Sequence, residues 1–399
     1  ALDGSPAFAA GAGNAGELAV VLANGAEWLR RLAALGVDVP AAAAQTEFTI
    51  SADADVFAVV AKCRALRTCW ARMLEACGCP EAAAASSLHV VVATAMLSRQ
   101  TPRVNMLRAT TACFGAAAGG ADAVTIPPFD VWTGADSELG RRVARNTHLI
   151  LRHEAHACAV VDPAGGSWFA EALTESLAQA AWQRFTQIEA AGGIVPTLAD
   201  GSLRAGFAET AARRDRAIAT RRQVLVGVNE FAEPAEPLDP DGGGAGTADG
   251  GRRWAAPFEE LRLAAAAAQP RVFLATLGPP SEHSSRAEFA GNLFEAGGIA
   301  ALVPDSGCDT AAEAAAAFAR SGAALACICS DEQHHAAAAT ALRSAGAARV
   351  YVAGAPGDDE QQLRAAGVDE FVMRGCDALA VLRGAHDVLG LRGGATGRP

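Results

Sequence analysis

The sequence predicts an α/β protein of two domains, in which half of a (β/α)8 barrel, or TIM barrel, precedes a five-stranded flavodoxin-like domain. The chain has 399 residues, more than one ordinary hydrophobic core takes up. Short apolar segments alternate with amphipathic segments, as the strands and crossover helices of parallel sheets do. Residues 234–251 are rich in Pro, Gly and Asp, which leaves them little to bury and indicates a linker.

The first 160 residues predict four strand-and-helix units of a partial barrel. The expected strands are residues 6–10, 47–50, 89–93 and 123–126, and the expected helices are about 15–36, 53–77, 103–118 and 135–155. A complete barrel takes roughly 250 residues and eight strands. Four units make half of one, so the chain either starts within the domain or pairs its sheet edges with other strands. Residues 161–232 have a helical pattern, and we expect them to form a shelf after the barrel.

After a linker over residues 233–257, residues 258–399 predict the second domain. Its expected strands are residues 271–277, 299–303, 324–329, 349–353 and 370–373, with a last helix at 377–391. The strands are short and mostly apolar, which is typical of a parallel sheet covered on both faces. Five such strands separated by helices indicate the doubly wound, flavodoxin-like arrangement.

Charge and hydropathy argue against two classes of partner. Acidic residues outnumber basic ones by 44 to 33, and the net charge of −11 disfavours nucleic acid. No apolar run approaches the ~20 residues of a membrane helix, so we expect no membrane partner. The first residues show no basic segment followed by an apolar one, and we expect a cytoplasmic protein. Six cysteines in apolar segments predict reduced core thiols: Cys63, Cys69, Cys113, Cys158, Cys327 and Cys376.

Two local motifs have simpler interpretations than the sites they suggest. Gly11, Gly13 and Gly16 match the dinucleotide pattern G-x-G-x-x-G after a short expected strand, but no acidic residue ends a second strand about 20 positions later. His153 and His156 are of metal-binding type, yet their spacing is not H-E-x-x-H and no third ligand is evident. We interpret the first as a glycine-rich loop and the second as a solvated helix end, and we predict no metal site.

Three stretches carry a resemblance to a known family. Residues 160–168 read Val-Val-Asp-Pro-Ala-Gly-Gly-Ser-Trp, residues 57–67 read Phe-Ala-Val-Val-Ala-Lys-Cys-Arg-Ala-Leu-Arg, and residues 145–151 read Arg-Asn-Thr-His-Leu-Ile-Leu. In these and other stretches the chain resembles the cobalamin-dependent methylmalonyl-CoA mutases over nearly its whole length. The resemblance implies the C-terminal half of a TIM barrel that binds acyl-CoA, followed by a domain of the cobalamin-binding type. In active members, adenosylcobalamin starts a radical rearrangement of the acyl-CoA.

The chain departs from the family's pattern at barrel positions that face the substrate. The resemblance places Pro6 where active members have a histidine that binds the thioester, and proline has no side-chain donor. Val91 lies in an aliphatic segment where active members have the polar run H-C-Q-T-S-G-W, and unpaired substrate groups would cost about 1–3 kcal/mol each. Thr125 lies in a segment that has lost the family's histidine and asparagine. We predict that this chain has no catalytic residue.

The cofactor motif departs as well. Members that bind cobalamin have D-x-H-x-x-G after the first strand of the second domain, where the histidine coordinates cobalt and the aspartate holds its other nitrogen. If His283 is aligned with that ligand, Ser281 and Arg286 replace the aspartate and the glycine; without this one-residue shift, Glu282 takes the ligand position. Ser330 and Gly354 are the other weak candidates for cofactor contact. We predict that the partner subunit, not this chain, binds adenosylcobalamin.

The sequence therefore predicts a non-catalytic small subunit. Its expected partner is a homologous catalytic large subunit, in a heterodimer that interconverts (R)-methylmalonyl-CoA and succinyl-CoA in propionate metabolism. The residues expected to maintain the barrel and the interface are Lys62, Arg64, Arg67, Arg145, Asn146 and Asp162. Two alternatives stay open: an autonomous cobalamin-dependent acyl-CoA mutase, and a repurposed module that binds a CoA ester or the mutase.

Overall fold

The chain divides into two compact units, each built on its own parallel sheet. A computed structural model describes residues 1–133, 137–157, 159–233, 252–304 and 307–391. The first unit comprises the described residues up to 214 together with 252–254, and the second comprises 215–233 and 255–391. The stretch 234–251, for which we expected a linker, lies outside the described residues, as does Cys158.

The first unit contains a four-stranded sheet in the order β1-β2-β3-β4. Its strands are β1 (Leu2–Asp3), β2 (Glu47–Ala52), β3 (Ser87–Val92) and β4 (Ala123–Thr125). All neighbouring pairs are parallel; in the β2 and β3 pair, Phe48 lies opposite Leu88 and Ser51 opposite Val91. The prediction of a parallel sheet with helices between its strands is confirmed.

Nine helices begin in the described part of the first unit. They are α1 (Ser5–Ala9), α2 (Gly13–Ala34), α3 (Val39–Ala44), α4 (Val56–Ala76), α5 (Val104–Ala118), α6 (Glu138–His153), α7 (Trp168–Ala190), α8 (Ile194–Ala199) and α9 (Ser202–Ala219), with short 3-10 helices at Pro80–Ala85 and Thr94–Met96. Side-chain caps begin several of them. Asp38 accepts from the Ala41 amide and Asp55 from the Ala58 amide, which satisfies N–H groups that a helix start leaves free.

The expected strand at residues 6–10 is wrong. The first strand is Leu2–Asp3, and the segment after it forms α1. Asp3 Oδ1 accepts the Ser5 amide at 2.8 Å, and Pro6 stands in the first turn, where its missing N–H has no cost. The remaining residues are mostly alanines, which favour a helix. Consequently the glycine-rich motif, in which Gly13 begins α2, follows a helix and not a strand.

The core of the first unit lies between one face of the sheet and the helices. Phe48, Ile50, Leu88, Val90 and Val92 are buried in it. Trp70 of α4 is 1% exposed, and its ring meets the edge of Phe48 at 5.0 Å between centroids. Because successive strand residues face opposite sides, the other face carries the intervening residues of each strand. Those are mainly polar: Thr49, Ser51, His89, Val91 and Thr125.

The second unit contains a five-stranded parallel sheet in the order β6-β5-β7-β8-β9. Its strands are β5 (Arg271–Thr276), β6 (Ala300–Leu302), β7 (Leu325–Cys329), β8 (Arg349–Ala353) and β9 (Glu370–Val372), and its helices are α10 (Ala256–Ala265), α11 (Pro280–Glu295), α12 (Ala311–Ser321), α13 (Glu332–Ser344), α14 (Glu360–Ala365) and α15 (Ala378–Val388). Every residue of β7 is buried, as in a sheet covered on both faces. All five predicted strands are confirmed.

The predicted core cysteines are largely buried as free thiols. Cys63, Cys69, Cys113 and Cys327 are buried, whereas Cys376 is half-buried. Burial raises the pKa of Cys63 to about 12 and that of Cys69 to about 11, since it disfavours the thiolate. These thiols belong to the packing and are poor nucleophiles.

Candidate functional site

The positions at which the sequence departs from active mutases meet at the carboxyl-end edge of the first sheet. Pro6 follows β1 in the first turn of α1. Val91 on β3 lies in register with Thr125 at the end of β4 and with Ser51 on β2. His89, two residues before Val91, places Nε2 at 2.8 Å from Thr125 Oγ1. The carboxyl ends of parallel strands lie at one edge of a sheet, and ligands of α/β proteins usually bind at that edge.

The loss of polar groups on β3 is smaller than the sequence suggested. Val90 and Val92 are buried in the core between sheet and helices. Of β3, it is Ser87, His89 and Val91 that share the opposite face with Thr125, because side chains alternate along a strand. The face therefore keeps an imidazole and several hydroxyls, and the aliphatic replacement that affects it is Val91.

An ion pair lies inside the first unit near the end of β2. The ammonium of Lys62 is 1% exposed and pairs with the carboxylate of Glu17, which is 0% exposed. Lys62 Nζ also donates to the Ser51 carbonyl at 2.8 Å, while Glu17 Oε1 accepts the Ser51 amide at 2.6 Å. The ring of Phe8 lies 4.4 Å from Lys62 Nζ, which adds a cation–π contact. Both charges thus hold the backbone of β2 and leave no group free to react.

Sequence reasoning singled out Lys62 but missed Glu17. The available signal was an acidic residue within the apolar stretch of α2, among Gly16, Leu18 and Ala19. Burial raises the pKa of the Glu17 carboxyl, and the charge and hydrogen bond of Lys62 act in the opposite direction. An unexplained carboxylate in an apolar helix face predicts a buried cation nearby.

Arg64 of α4 binds the loop at residues 160–168, one of the stretches that resemble the mutase family. Its guanidinium lies 2.7 Å from Glu171 Oε1 and 3.2 Å from Asp162 Oδ2, and it donates to Thr174 Oγ1 at 3.2 Å. Asp162 has a φ of 47°, which is costly for a residue with a side chain. The hydrogen bond from Arg64 lowers the pKa of Glu171. These contacts hold residues 162–174 against α4.

The other predicted structural residues divide into bound and exposed groups. Arg67 Nη2 donates to Asp122 Oδ2 at 2.9 Å and to the Gly120 carbonyl at 2.7 Å, so it holds the turn before β4. Arg145 and Asn146 are exposed on α6. The structure therefore assigns a stabilising contact to Arg67 and brings neither residue of α6 into the same network.

A second network, centred on a buried amide, shapes the loop after β3. Asn105 is 0% exposed and its Oδ1 accepts from the Ser98 amide at 2.9 Å and from Arg108 at 2.6 Å. Its Nδ2 donates to the carbonyls of Ser98 at 2.7 Å and Phe129 at 2.8 Å. Because all of its hydrogen-bonding capacity is used, Asn105 joins two loops at the same edge of the sheet.

The weak cofactor candidates lie at the carboxyl-end edge of the second sheet. His283 stands in the first half of α11, and its Nδ1 is buried with no hydrogen-bond partner among the described residues. Ser330, directly after β7, is fully buried; its hydroxyl donates to the Asp331 carbonyl at 3.2 Å, and its own carbonyl lies 3.0 Å from His335 Nε2. Burial lowers the pKa of His335.

Arg286 occupies the space beside the third candidate, Gly354. Its Nη1 donates to the Ala353 carbonyl at 3.1 Å, and its Nη2 lies 3.8 Å from Asp331 Oδ1. A Cβ at Gly354 would lie only 2.8 Å from Arg286 Nη1. The guanidinium therefore lies against Gly354 and the end of β8, and Arg286 stands at the glycine position of the D-x-H-x-x-G motif.

These residues do not fit a cobalamin held through histidine. No carboxylate orients the buried Nδ1 of His283, because Ser281 stands at the aspartate position and is exposed. Arg286 fills the room that the motif's glycine would leave. For metals in general, no group of three or more His, Cys, Asp or Glu side chains in the described ranges is arranged to hold an ion. His153 and His156 are both exposed at the end of α6.

Comparison with known proteins shows the family of the chain. The sequence model of methylmalonyl-CoA mutase matches residues 2–250, more than half of the chain. The chain belongs to the methylmalonyl-CoA mutase family. It is 46% identical over 409 residues to the methylmalonyl-CoA mutase small subunit of Streptomyces virginiae, covering 98% of this chain and 64% of that protein. It is 34% identical over 396 residues to the small subunit of Propionibacterium freudenreichii subsp. shermanii, covering 96% and 62%.

Members of the mutase family without a subunit designation match over a shorter stretch. The methylmalonyl-CoA mutase of Rhizobium meliloti is 34% identical over 233 residues, which are 58% of this chain and 33% of that protein. The chain spans about three-fifths of the length of the small subunits it resembles. Among the described helices of this family member, none combines the length and hydrophobicity that crossing a bilayer requires.

Proposed function

We propose that the chain is a non-catalytic small subunit of a methylmalonyl-CoA mutase. In this proposal a homologous large subunit carries the catalytic site and interconverts (R)-methylmalonyl-CoA and succinyl-CoA, and this chain stabilises it in a cytoplasmic heterodimer. The observation that carries the proposal is the guanidinium of Arg286 beside Gly354. It supports an assembly in which adenosylcobalamin belongs to the partner.

We infer that the first unit is the C-terminal half of a TIM barrel. Support comes from the four parallel strands, each followed by a helix, and from the polar second face of their sheet. In the barrel of this family that face would line the acyl-CoA channel. His89, Thr125 and Val91 would then lie inside it, with a proline, Pro6, at the position of the thioester-binding histidine.

We infer that the second unit is a flavodoxin-like domain that has lost the cofactor. The strand order β6-β5-β7-β8-β9 is the 2-1-3-4-5 order of that fold, whose ligands bind at the carboxyl ends of the first and third strands. Here that edge holds His283 without a carboxylate partner and the side chain of Arg286. A domain that keeps the fold while Arg286 stands beside Gly354 suits a subunit with a structural role.

Visible spectroscopy of adenosylcobalamin tests the proposal directly. The chain is mixed with the cofactor alone, and then with a cobalamin-loaded large subunit of a methylmalonyl-CoA mutase, and each mixture is passed through a size-exclusion column. We expect the chain alone to leave the free-cofactor spectrum unchanged and to elute without cobalt, whereas the mixture elutes as one complex. A histidine-ligated spectrum from the chain alone would favour the autonomous mutase instead.

Activity measurements separate the subunit from a repurposed binding module. We expect the large subunit to lose activity more slowly at elevated temperature when this chain is bound, with no activity from the chain itself. A module that binds a CoA ester would instead retain methylmalonyl-CoA on the column without a large subunit. Arg204→Met, which removes one exposed positive charge, is the control for non-specific association and should bind the large subunit as the unaltered chain does.

A further inference from the structure

A cavity of about 330 Å³ lies among four helices of the first unit. α2, α7, α8 and α9 form its walls. The apolar part of the lining includes Ile188, Leu203 and Phe207, and Ile188 and Phe207 are buried. At roughly 30 Å³ for a water-sized group, the volume takes on the order of ten non-hydrogen atoms. It therefore matches the lower end of small-molecule sites.

One cation stands in the wall of this cavity without a counter-ion. Arg184 is half-buried, and its Nη1 has only a long contact of 3.5 Å to the Ala12 carbonyl. No carboxylate within the described ranges lies within ion-pair distance of it, and Glu189, farther along α7, pairs with Arg30. Two neutral polar side chains, Gln187 and Ser202, share the lining. A guanidinium in an apolar setting favours a bidentate carboxylate.

We propose that this cavity binds a small amphipathic carboxylate with an acyl chain of about six to eight carbons. The chain lies against Ile188, Leu203 and Phe207, and the carboxylate accepts hydrogen bonds from Arg184. Octanoate has the size and polarity that the lining requires. The site is independent of the proposed subunit role, because it uses neither the polar face of the first sheet nor the crevice of the second.

Of the two glycines in the lining, Gly206 is the one at which a larger side chain fits without disturbing the fold. Gly206 is an exposed residue of the lining and a Cβ there would meet nothing within 4 Å, so a leucine fits at the mouth of the cavity without a clash. Gly16 is a poorer choice, since a Cβ there would lie 3.0 Å from Ala12 Cβ and 3.1 Å from Arg184 Nη1. The blocking variant is therefore Gly206→Leu, and Arg184→Met removes the charge while keeping most of the side-chain volume.

Isothermal titration calorimetry of the full chain with octanoate, octanol and octylammonium tests the proposal. We expect one octanoate per chain, with affinity falling about fourfold for each methylene removed. Arg184→Met should weaken octanoate at least about tenfold and leave octanol unchanged, and Gly206→Leu should abolish both. Arg204→Met, an exposed change on the same helix, should alter neither.

Three results would overturn the site. They are no binding of octanoate, equal affinity for octanoate and octylammonium, or undiminished octanoate binding by Gly206→Leu. Thermal unfolding of each variant shows whether it is folded, so a lost signal is assigned to the cavity only where the unfolding temperature is kept. Because none of these readouts involves cobalamin or a large subunit, failure here leaves the subunit proposal standing, and the reverse also holds.

Discussion

The ammonium of Lys62 and the carboxylate of Glu17 form an ion pair sealed inside the first unit, with 1% and 0% of the side chains exposed. Both groups also bond to the backbone of Ser51, so one residue of β2 is held from α2 and from α4 at once. Removing either partner leaves a charge buried without compensation, which costs more than the pair contributes.

We expect Lys62→Met and Glu17→Gln each to lower the free energy of unfolding by about 3–5 kcal/mol. The double variant Glu17→Met/Lys62→Met should recover most of that loss, because two apolar side chains replace the pair without leaving a charge. Urea unfolding followed by circular dichroism gives the values. Arg31→Met, which breaks the exposed pair with Glu27, is the control and should change the free energy by no more than about 0.5 kcal/mol. A double variant as unstable as the single ones would contradict this account.

Asn105 offers a second stability test. Its amide satisfies the Ser98 amide and two carbonyls in a fully buried position. Asn105→Ala should therefore lower the free energy of unfolding by about 2–4 kcal/mol, since each buried group left unpaired costs about 1–3 kcal/mol and part of that is recovered by water. Asn146→Ala, on the exposed face of α6, should stay within about 0.5 kcal/mol. Equal effects of the two changes would disprove the network's role.

The free energy of unfolding should decrease as the pH falls below neutrality, and His335 should cause part of this decrease. Burial lowers the pKa of this histidine in the fold, whereas in the unfolded chain it titrates near 6.5. As the pH falls from about 6.5 toward the lowered value, the unfolded state takes up a proton that the folded state refuses, so stability is lost. His335→Gln should flatten unfolding free energies measured between pH 7 and pH 5.

The matched control for this pH effect is His153→Gln. His153 is exposed at the end of α6, and the same measurements on this variant show what the loss of a surface histidine does by itself. A slope that stays unchanged in His335→Gln would show that other groups carry the dependence. His148, whose pKa burial also lowers, would be the next histidine to replace.

Restoring the family motif should create a weak cofactor site. Ser281→Asp supplies a carboxylate at the position that orients the ligand histidine, and Arg286→Gly empties the space beside Gly354. We expect the double variant to bind adenosylcobalamin at least about tenfold more tightly than the unaltered chain, with a histidine-ligated spectrum. His283→Ala in the same background should remove that spectrum. If it persists there, the ligand is another residue.

Local pattern predicted most of the elements because their signals lie within a few residues. The five strands of the second sheet are short apolar runs, and β2, β3 and β4 each precede an amphipathic helix. The strand predicted at residues 6–10 is wrong. The hydrogen bond from the Ser5 amide to Asp3 and the proline in the first turn begin a helix there, and no alternating pattern was present to indicate a strand. The roles of Lys62, Arg64 and Arg67 as structural residues agree with the contacts they make.

The sequence alone determined the parallel α/β architecture, the family and the damage to the cobalamin motif, because each depends on residue types at fixed spacing. Only the tertiary structure decided which groups meet. Glu17 of α2 pairs with Lys62 of α4, Val90 points away from the polar face that Val91 joins, and Arg286 of α11 reaches the Ala353 carbonyl at the end of β8, 67 residues away in the sequence. Such contacts follow from packing between distant segments, and burial, not spacing, sets their energies.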